Sequence, residues 1–233
     1  SDEPSVFSDN SSVTGGNIVS WRWDFDDNTG FVAGQNPAHQ YTAPGTFNVQ
    51  LLVSTARGCQ DSMTLPVTVN PVPDADFTFT NVCDGLPNQF TDASTITTGG
   101  FITSYVWDYG DGSPTGQGAT ANHTYPQFGY YNVTLTVTSD NGCTDAFTRT
   151  IFVNPNPEAD FEILNACKDS IVLASTSSTV AGSLDFIQSH SWNFGDPASG
   201  ANNTSTLENP THVYGQDGSF LVTLTVTTAN GCS

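Results

Sequence analysis

Positive charge is nearly absent from this 233-residue chain: 4 Lys and Arg stand against 23 Asp and Glu, a formal charge of −19. A chain so acidic repels the phosphates that nucleic-acid binding depends on, which excludes nucleic acid as a partner. Charge of either sign is scarce, at 12% of residues, against about 25% in an average soluble chain. Methionine occurs once. No apolar run approaches the roughly 18 residues that a bilayer crossing takes, so membrane insertion is not expected. Neither a sustained helical stripe nor a collagen-like glycine period is present. No basic, apolar leader opens the chain; it begins mid-pattern, as expected of a mature protein or an excerpt from a longer array. What is plentiful is 21 Gly and 13 Pro, with Ser, Thr and Asn throughout.

Internal repetition organises the chain. Trp23-Asp24-Phe25-Asp26-Asp27 recurs as Trp107-Asp108-Tyr109-Gly110-Asp111 and as Trp192-Asn193-Phe194-Gly195-Asp196. His39-Gln40-Tyr41, His123-Thr124-Tyr125 and His212-Val213-Tyr214 follow, each with a glycine soon after: Gly45, Gly129 and Gly218. An alternating segment comes next, Phe47-x-Val49-x-Leu51-x-Val53, repeated as Tyr131 to Val137 and Phe220 to Val226, and each ends in Gly-Cys at Cys59, Cys143 and Cys232. Pro71-Val72-Pro73 and Pro155-Asn156-Pro157 read as short stiff joints, because proline fixes φ and withholds an amide donor. The domains are therefore 1–70, which lacks its first strand, 71–154, which is complete, and 155–233, which lacks its last.

Period-two alternation and Asn-Gly and Asp-Gly turns make each repeat all-β. The second repeat predicts about seven strands, around 77–82, 89–93, 103–109, two short central segments, 131–137 and 144–153. That pattern describes an immunoglobulin-like β-sandwich with Trp23, Trp107 or Trp192 on the third strand, in the core. Three such sandwiches in series make a linear rod.

With Trp-Asp-Tyr-Gly-Asp-Gly at 107–112, His-x-Tyr and the aromatic-led Val-x-Leu-x-Val strand, the chain resembles the polycystic kidney disease (PKD) domain family over all three repeats. It departs at Asp26, where glycine is usual, and at Asn193, where aspartate is. The Cys-bearing, Pro-linked form is similar to arrays in very large surface proteins of gliding and other Gram-negative bacteria, including gliding-motility adhesins. The resemblance implies a structural or adhesive stalk segment at a bacterial cell surface, spacing a binding tip and transmitting force. Its partners would be neighbouring repeats, a surface anchor, or an extracellular polysaccharide or protein ligand. The alternative is a carbohydrate- or protein-binding spacer module of a secreted enzyme.

Candidate sites divide between chemistry and architecture. The carboxylates after Trp23 could be read as a glycosidase acid–base pair. However, Asp24 becomes Asn193, and Asp26 becomes Gly110 and Gly195, so no catalytic residue is expected and the chain is not read as an enzyme. Calcium suits clustered oxygen ligands, and some PKD domains of collagenases bind it near this strand end. Asp9, Asp24, Asp26 and Asp27 are the candidate ligands in the first repeat, although its loop at 10–16 lacks the Asp-x-Asp-Gly of calcium-binding members. No cofactor is assigned. His39, His123 and His212 could serve zinc only with further ligands nearby; the alternative is a structural imidazole bracing Tyr41, Tyr125 or Tyr214. Trp21, whose counterparts are Tyr105 and His190, is either a sugar-stacking platform or a solvent-facing strand residue. Asp61-Ser62-Met63 and Asp169-Ser170-Ile171 resemble the Asp-Ser/Thr-apolar motif that some of these bacteria O-glycosylate.

The five cysteines, Cys59, Cys83, Cys143, Cys167 and Cys232, are odd in number, so one partner is expected outside this stretch. In a sandwich, Cys83 falls at the pole where the last strand leaves and Cys143 at the opposite pole, roughly 20 Å away. A disulfide tolerates about 7 Å between Cα atoms. The preferred pairing is therefore an interdomain Cys83–Cys232, with Cys143 tied to an upstream cysteine. The alternative is intradomain, Cys83–Cys143 and Cys167–Cys232. A disulfide in either form places the protein outside the reducing cytoplasm, extracellular or at the cell surface.

Overall fold

The computed structural model describes residues 4–80, 82–97, 99–164, 168–182 and 185–233. In the first repeat, β1 (Ser5–Val6) pairs with β4 (Ala38–His39). The others, β2 (Ile18–Asp24), β3 (Phe31–Ala33), β5 (Gly45–Thr55) and β6 (Gln60–Val69), form a sheet in the order β3-β2-β5-β6. The second repeat holds β7 (Phe77–Phe79), β8 (Pro87–Asp92), β9 (Ile102–Asp108), β10 (Gly116–Gln117), β11 (Thr120–Thr124), β12 (Gly129–Ser139) and β13 (Thr144–Val153). Their sheets run β10-β9-β12-β13 and β11-β8-β7. In the third, β14 (Pro157–Glu158) pairs with β17 (Thr179–Val180), while β15 (Phe161–Leu164), β16 (Ile171–Thr176) and β20 (Thr211–Val213) form one sheet. Its second sheet is β19-β18-β21, from β18 (Ile187–Asn193), β19 (Thr204–Ser205) and β21 (Thr223–Thr228). The fold is all-β, as the alternation predicts. Two details differ from the sequence reading. A 3-10 segment at Pro197–Asn203 interrupts the third repeat where no helix was expected. The first strand of the second repeat ends at Phe79 rather than near residue 82, so Cys83 stands in the following turn.

By contacts, the chain forms two compact units: Ser1–Phe77 with Ala93–Val106 and Leu135–Phe147, and Thr78–Asp92 with Trp107–Thr134 and Thr148–Ser233. The second repeat contributes to both.

Alternation decides what is buried. Along β12, Val133, Leu135 and Val137 are wholly buried while Tyr130 stands out in solvent. β2 and β18 hold the same register against the long strands, Trp23 opposite Leu51 and Trp192 opposite Leu224, each with a bulge three to five residues earlier. Trp107 and Trp192 are among the largest fully buried side chains, and Trp23 is 6% exposed. Trp23, Phe25 and Val49 form the first repeat's core; Val172, Ala174, Trp192, Phe194 and Tyr214 form the third's. Proline packs at both joints, with Pro71, Pro73 and Pro155 buried.

Arg22 lies over the ring of Phe31, 3.3 Å from its centroid. Lys168 reaches Asp217 only at 3.9 Å on an exposed surface.

Candidate functional site

Each motif builds the same column of side chains. The tryptophan indole donates to a backbone carbonyl across the sheet: Trp23 to Gly34 at 2.9 Å, Trp107 to Gly118 at 2.9 Å, Trp192 to Leu207 at 3.0 Å. The aromatic two residues on lies flat against the histidine, with centroids 3.9 Å apart for Phe25–His39, 4.0 Å for Tyr109–His123 and 4.4 Å for Phe194–His212. The histidine presents its face or edge at a near right angle to the tyrosine two residues later, Tyr41, Tyr125 or Tyr214. That tyrosine stacks on the aromatic leading the next segment, Phe47, Tyr131 or Phe220. Its hydroxyl donates back to the carbonyl of the first aromatic: Tyr41 to Phe25 at 3.3 Å, Tyr125 to Tyr109 at 3.0 Å, Tyr214 to Phe194 at 3.0 Å. The tyrosine thus ties a turn to the strand before it, and its polar end is satisfied inside the core.

The last carboxylate of each motif closes the column. Asp27 Oδ2 lies 2.7 Å from His39 Nε2, Asp111 Oδ2 2.7 Å from His123 Nε2, and Asp196 Oδ2 3.1 Å from His212 Nε2. Burial alone would push the Asp27 and Asp111 carboxyls up. Hydrogen bonds from Thr29 and His39, and from Ser113 and His123, outweigh that and hold both below the usual aspartate value. Burial, with Asp27 and Asp26 nearby, pushes the Tyr41 phenol up to about 12; Tyr125, Tyr109 and Tyr214 are also raised, chiefly by burial. Imidazole, carboxylate and phenol are each committed to a neighbour, so the column holds a turn in place rather than presenting groups to a substrate. The sequence reading placed His39, His123 and His212 beside their tyrosines but missed their aspartates. The signal was there, since an Asp four residues after each Trp accompanies every motif histidine.

Glycine in the same turn has a steric reason. Gly110 and Gly195 have φ of +75° and +68°. A Cβ on Gly110 would overlap the backbone of Asn132, and one on Gly195 would come within 2.5 Å of the Leu221 carbonyl oxygen. In the first repeat Asp26 takes the position at φ +62°, and its Oδ2 accepts the Asn48 amide at 2.9 Å.

The four calcium candidates are not drawn together. Asp9 accepts from Trp21 Nε1 at 2.6 Å, from the Ser11 amide and from Gln35; Asp24 accepts the Asp26 amide; Asp26 accepts the Asn48 amide; and Asp27 accepts from Thr29 and faces His39. Each carboxylate is already engaged by hydrogen-bond donors, within its own turn for Asp24 and from distant segments for Asp9 and Asp26. Among the described residues no cluster of three or more His, Cys, Asp or Glu is placed to hold a metal ion. Trp21, read as either a sugar-stacking platform or a solvent-facing strand residue, is half-buried and its indole donates to Asp9. Ser62 and Ser170 are both exposed.

Cysteine positions follow a common device. The amide of each Gly-Cys cysteine donates to a hydroxyl four residues back: Cys59 to Thr55, Cys143 to Ser139, Cys232 to Thr228. Cys83 and Cys232 are joined, Cα atoms 5.6 Å apart. Around this bond the Asp84 amide donates to the Asn154 carbonyl at 2.8 Å, the Asn154 amide to the Val82 carbonyl at 3.1 Å, and Asn156 Nδ2 to the Asp84 carbonyl at 2.9 Å. The intradomain pairs Cys83–Cys143 and Cys167–Cys232 are not those formed. The reason is strand length: Cys143 precedes β13 and Cys83 bridges Asn154 just after it, and ten residues of strand extend about 30 Å. Cys59 and Cys143 are free thiols; Cys167 lies outside the described residues.

Comparison with known proteins places these columns in a family. The family model described as PKD domain matches residues 1–70, 68–154 and 152–233. Polycystin-1 of Homo sapiens is 35% identical over 109 residues, 44% of this chain and 2% of that protein. The pre-pro-metalloprotease PrtV of Vibrio cholerae is 32% identical over 149 residues, 62% of this chain and 16% of that protein. The crystal structure of the PKD1 domain of Vibrio anguillarum Epp, 35% identical, is covered over 96% of its chain by 36% of this one, with a TM-score of 0.33. This chain therefore spans only a small part of the curated relatives it matches. With the family's motif matched three times along its length, the chain belongs to the PKD domain family, as three tandem domains.

Proposed function

We propose that this chain is a structural stalk segment of a large extracellular repeat protein, spacing a binding region from a bacterial cell surface and transmitting force along the array. The observation that carries this reading is the Cys83–Cys232 disulfide, which ties the second repeat to the third. A tensile load applied at the chain ends passes from residue 83 directly to residue 232 and bypasses what lies between. The part of the second repeat after residue 83 and the third repeat are then shielded while the covalent path bears the load. A disulfide also fits an oxidising, extracellular setting, and the committed columns fit a module without a reaction of its own.

Single-molecule stretching tests it. The bond hides a sequence separation of 149 residues, so reduction, or Cys83→Ser, should add roughly 500 Å to the fully extended length at about 3.3–3.6 Å per residue. Equal extended lengths with and without reductant would refute the role.

One observation favours a second reading, an accessory module contacting a ligand. Tyr130, 66% exposed, and Phe152 pair their rings at 4.8 Å on the outer face of the β12–β13 sheet, an arrangement that can stack on the apolar face of a sugar. Retention on insoluble polysaccharide that Tyr130→Ala abolishes would favour it over the stalk; no retention leaves the stalk alone.

A further inference from the structure

We infer that the recess beside Cys143 is an acceptor for a cysteine-bearing β-hairpin of the kind this chain forms with β7 and β8 around Cys83, and that Cys143 closes on that hairpin as a disulfide. The recess, about 380 Å³, is lined by Ser5, Tyr41, Pro44, Val69, Asn70 and Cys143 among others. Each of these has a counterpart at the joint of the second and third repeats: Asn88, Tyr125, Phe128, Val153, Asn154 and Cys232. There the hairpin is in place. Val153 and Tyr125 are 0% exposed and Asn154 3%, whereas Val69, Asn70 and Tyr41 remain partly open and Ser5 is exposed.

Three observations tie the two joints together. Cys143 is presented as Cys232 is, its amide 3.1 Å from Ser139 Oγ where Cys232 has 3.2 Å to Thr228 Oγ1, and with the same return bond to its carbonyl, Ser139 to Cys143 and Thr228 to Cys232, both 2.8 Å. The Asn154 backbone holds the hairpin through Val82 and Asp84, and Asn70 occupies that position at the end of β6, beside the recess. The strand registers also agree, since Ser5 pairs with His39 where Asn88 pairs with His123. An incoming hairpin numbered by this register brings its cysteine to the position just ahead of Ser1. Cys59 is exposed and does not line this recess, so the recess, not thiol exposure, selects the partner.

The bond forms by oxidation of two thiols, which together give up two electrons and two protons. Glutathione disulfide serves as the oxidant and leaves as two molecules of glutathione, through a mixed disulfide. This inference rests on the reading of Cys83–Cys232 as a joint, and its test separates the two. A copy of residues 71–83 is joined ahead of Ser1 in the full chain, which is oxidised with glutathione disulfide and mapped by mass spectrometry without reduction. The added cysteine should link to Cys143 in at least about tenfold excess over Cys59, since a correctly held neighbour has a high effective concentration. Linkage to Cys59, or Cys143 left capped by glutathione, overturns the acceptor. If Cys83–Cys232 is present in that map, only the acceptor fails; if it is absent, the joint itself fails. Should the extended chain not fold, a peptide of residues 77–86 carried as its glutathione mixed disulfide is offered to the chain with Cys167→Ser. Preferential transfer to Cys143 supports the inference, and equal labelling of Cys59 and Cys143, or equal transfer from a scrambled peptide, overturns it.

Discussion

Replacing Gly110 by alanine separates two costs that the repeats distribute differently. At φ +75° an alanine bears a left-handed penalty of about 1–2 kcal/mol. Its Cβ would also meet the Asn132 backbone, with even the carbonyl carbon only 3.0 Å away. Backbone in a four-stranded sheet cannot swing aside as a side-chain tip can, and overpacking of this kind costs about 1–3 kcal/mol. The sum is about 2–5 kcal/mol, confined to the second repeat. Asp26→Ala in the first repeat is the control. That position already holds a non-glycine residue at φ +62°, with the Asn48 strand placed to accommodate it, so alanine loses only the exposed bond from the Asn48 amide, about 0.5–1.5 kcal/mol. Because tandem domains need not unfold together, the assay is hydrogen exchange read on peptides from each repeat across a urea series. A Gly110→Ala chain within about 0.5 kcal/mol of the parent, or costing no more than Asp26→Ala, would refute the steric account.

Other outcomes follow from the same columns. Trp107→Ala or Trp192→Ala removes a fully buried indole and should cost about 3–5 kcal/mol in its own repeat, read by the same exchange. Tyr125→Phe leaves the buried Tyr109 carbonyl without its donor and should cost about 1–3 kcal/mol, more than Tyr41→Phe, whose 3.3 Å bond is part-exposed. The depressed Asp27 and Asp111 carboxyls contribute stability that is complete above the unfolded aspartate value near 4 and is lost as pH falls through their folded values. Acid titration of Asp27→Asn should therefore flatten that loss in the first repeat; an unchanged acid limb would contradict it. For Tyr41, raised to about 12, the sign reverses: stability is intact below pH 10 and declines between about 10 and 12 as the unfolded phenol ionises first. Phenolate absorbance in an alkaline titration reports this, and ionisation of Tyr41 at its ordinary pH would count against its buried contact.

The repeat, the strands and the core tryptophans were legible because each rests on a local pattern seen three times. Val133, Leu135 and Val137 alternate in sequence and are buried in space for the same reason. What was hard to read depends on contacts between segments distant in sequence. Nothing local pairs Asp9 with Trp21, twelve residues on, so Trp21 looked free and Asp9 looked available to a metal. Asp27 likewise could be a ligand or a brace until His39 was placed against it. In the third repeat the 3-10 segment lengthens the separation of the Asp and His partners from 12 to 16 residues, and the two still meet. The Asp keeps its place four residues after the Trp in every repeat, while its separation from the His varies, so the pairing itself is defined by the fold.

Arg22 is spent on an aromatic ring and Lys168 stands at the limit of ion-pair distance, which has a consequence for the solvent around the protein. With −19 formal charges, the surface behaves as a fixed polyanion whose excess must be met by mobile counterions. Dissolved salt supplies part of what side chains do not. At about 0.15 M the screening distance is about 8 Å, and at 0.01 M about 30 Å, so in dilute medium each carboxylate feels many more of its neighbours. With so large an excess of acid over base, this protein should gain stability as salt is added, and copies of it should keep apart until ionic strength allows them to approach.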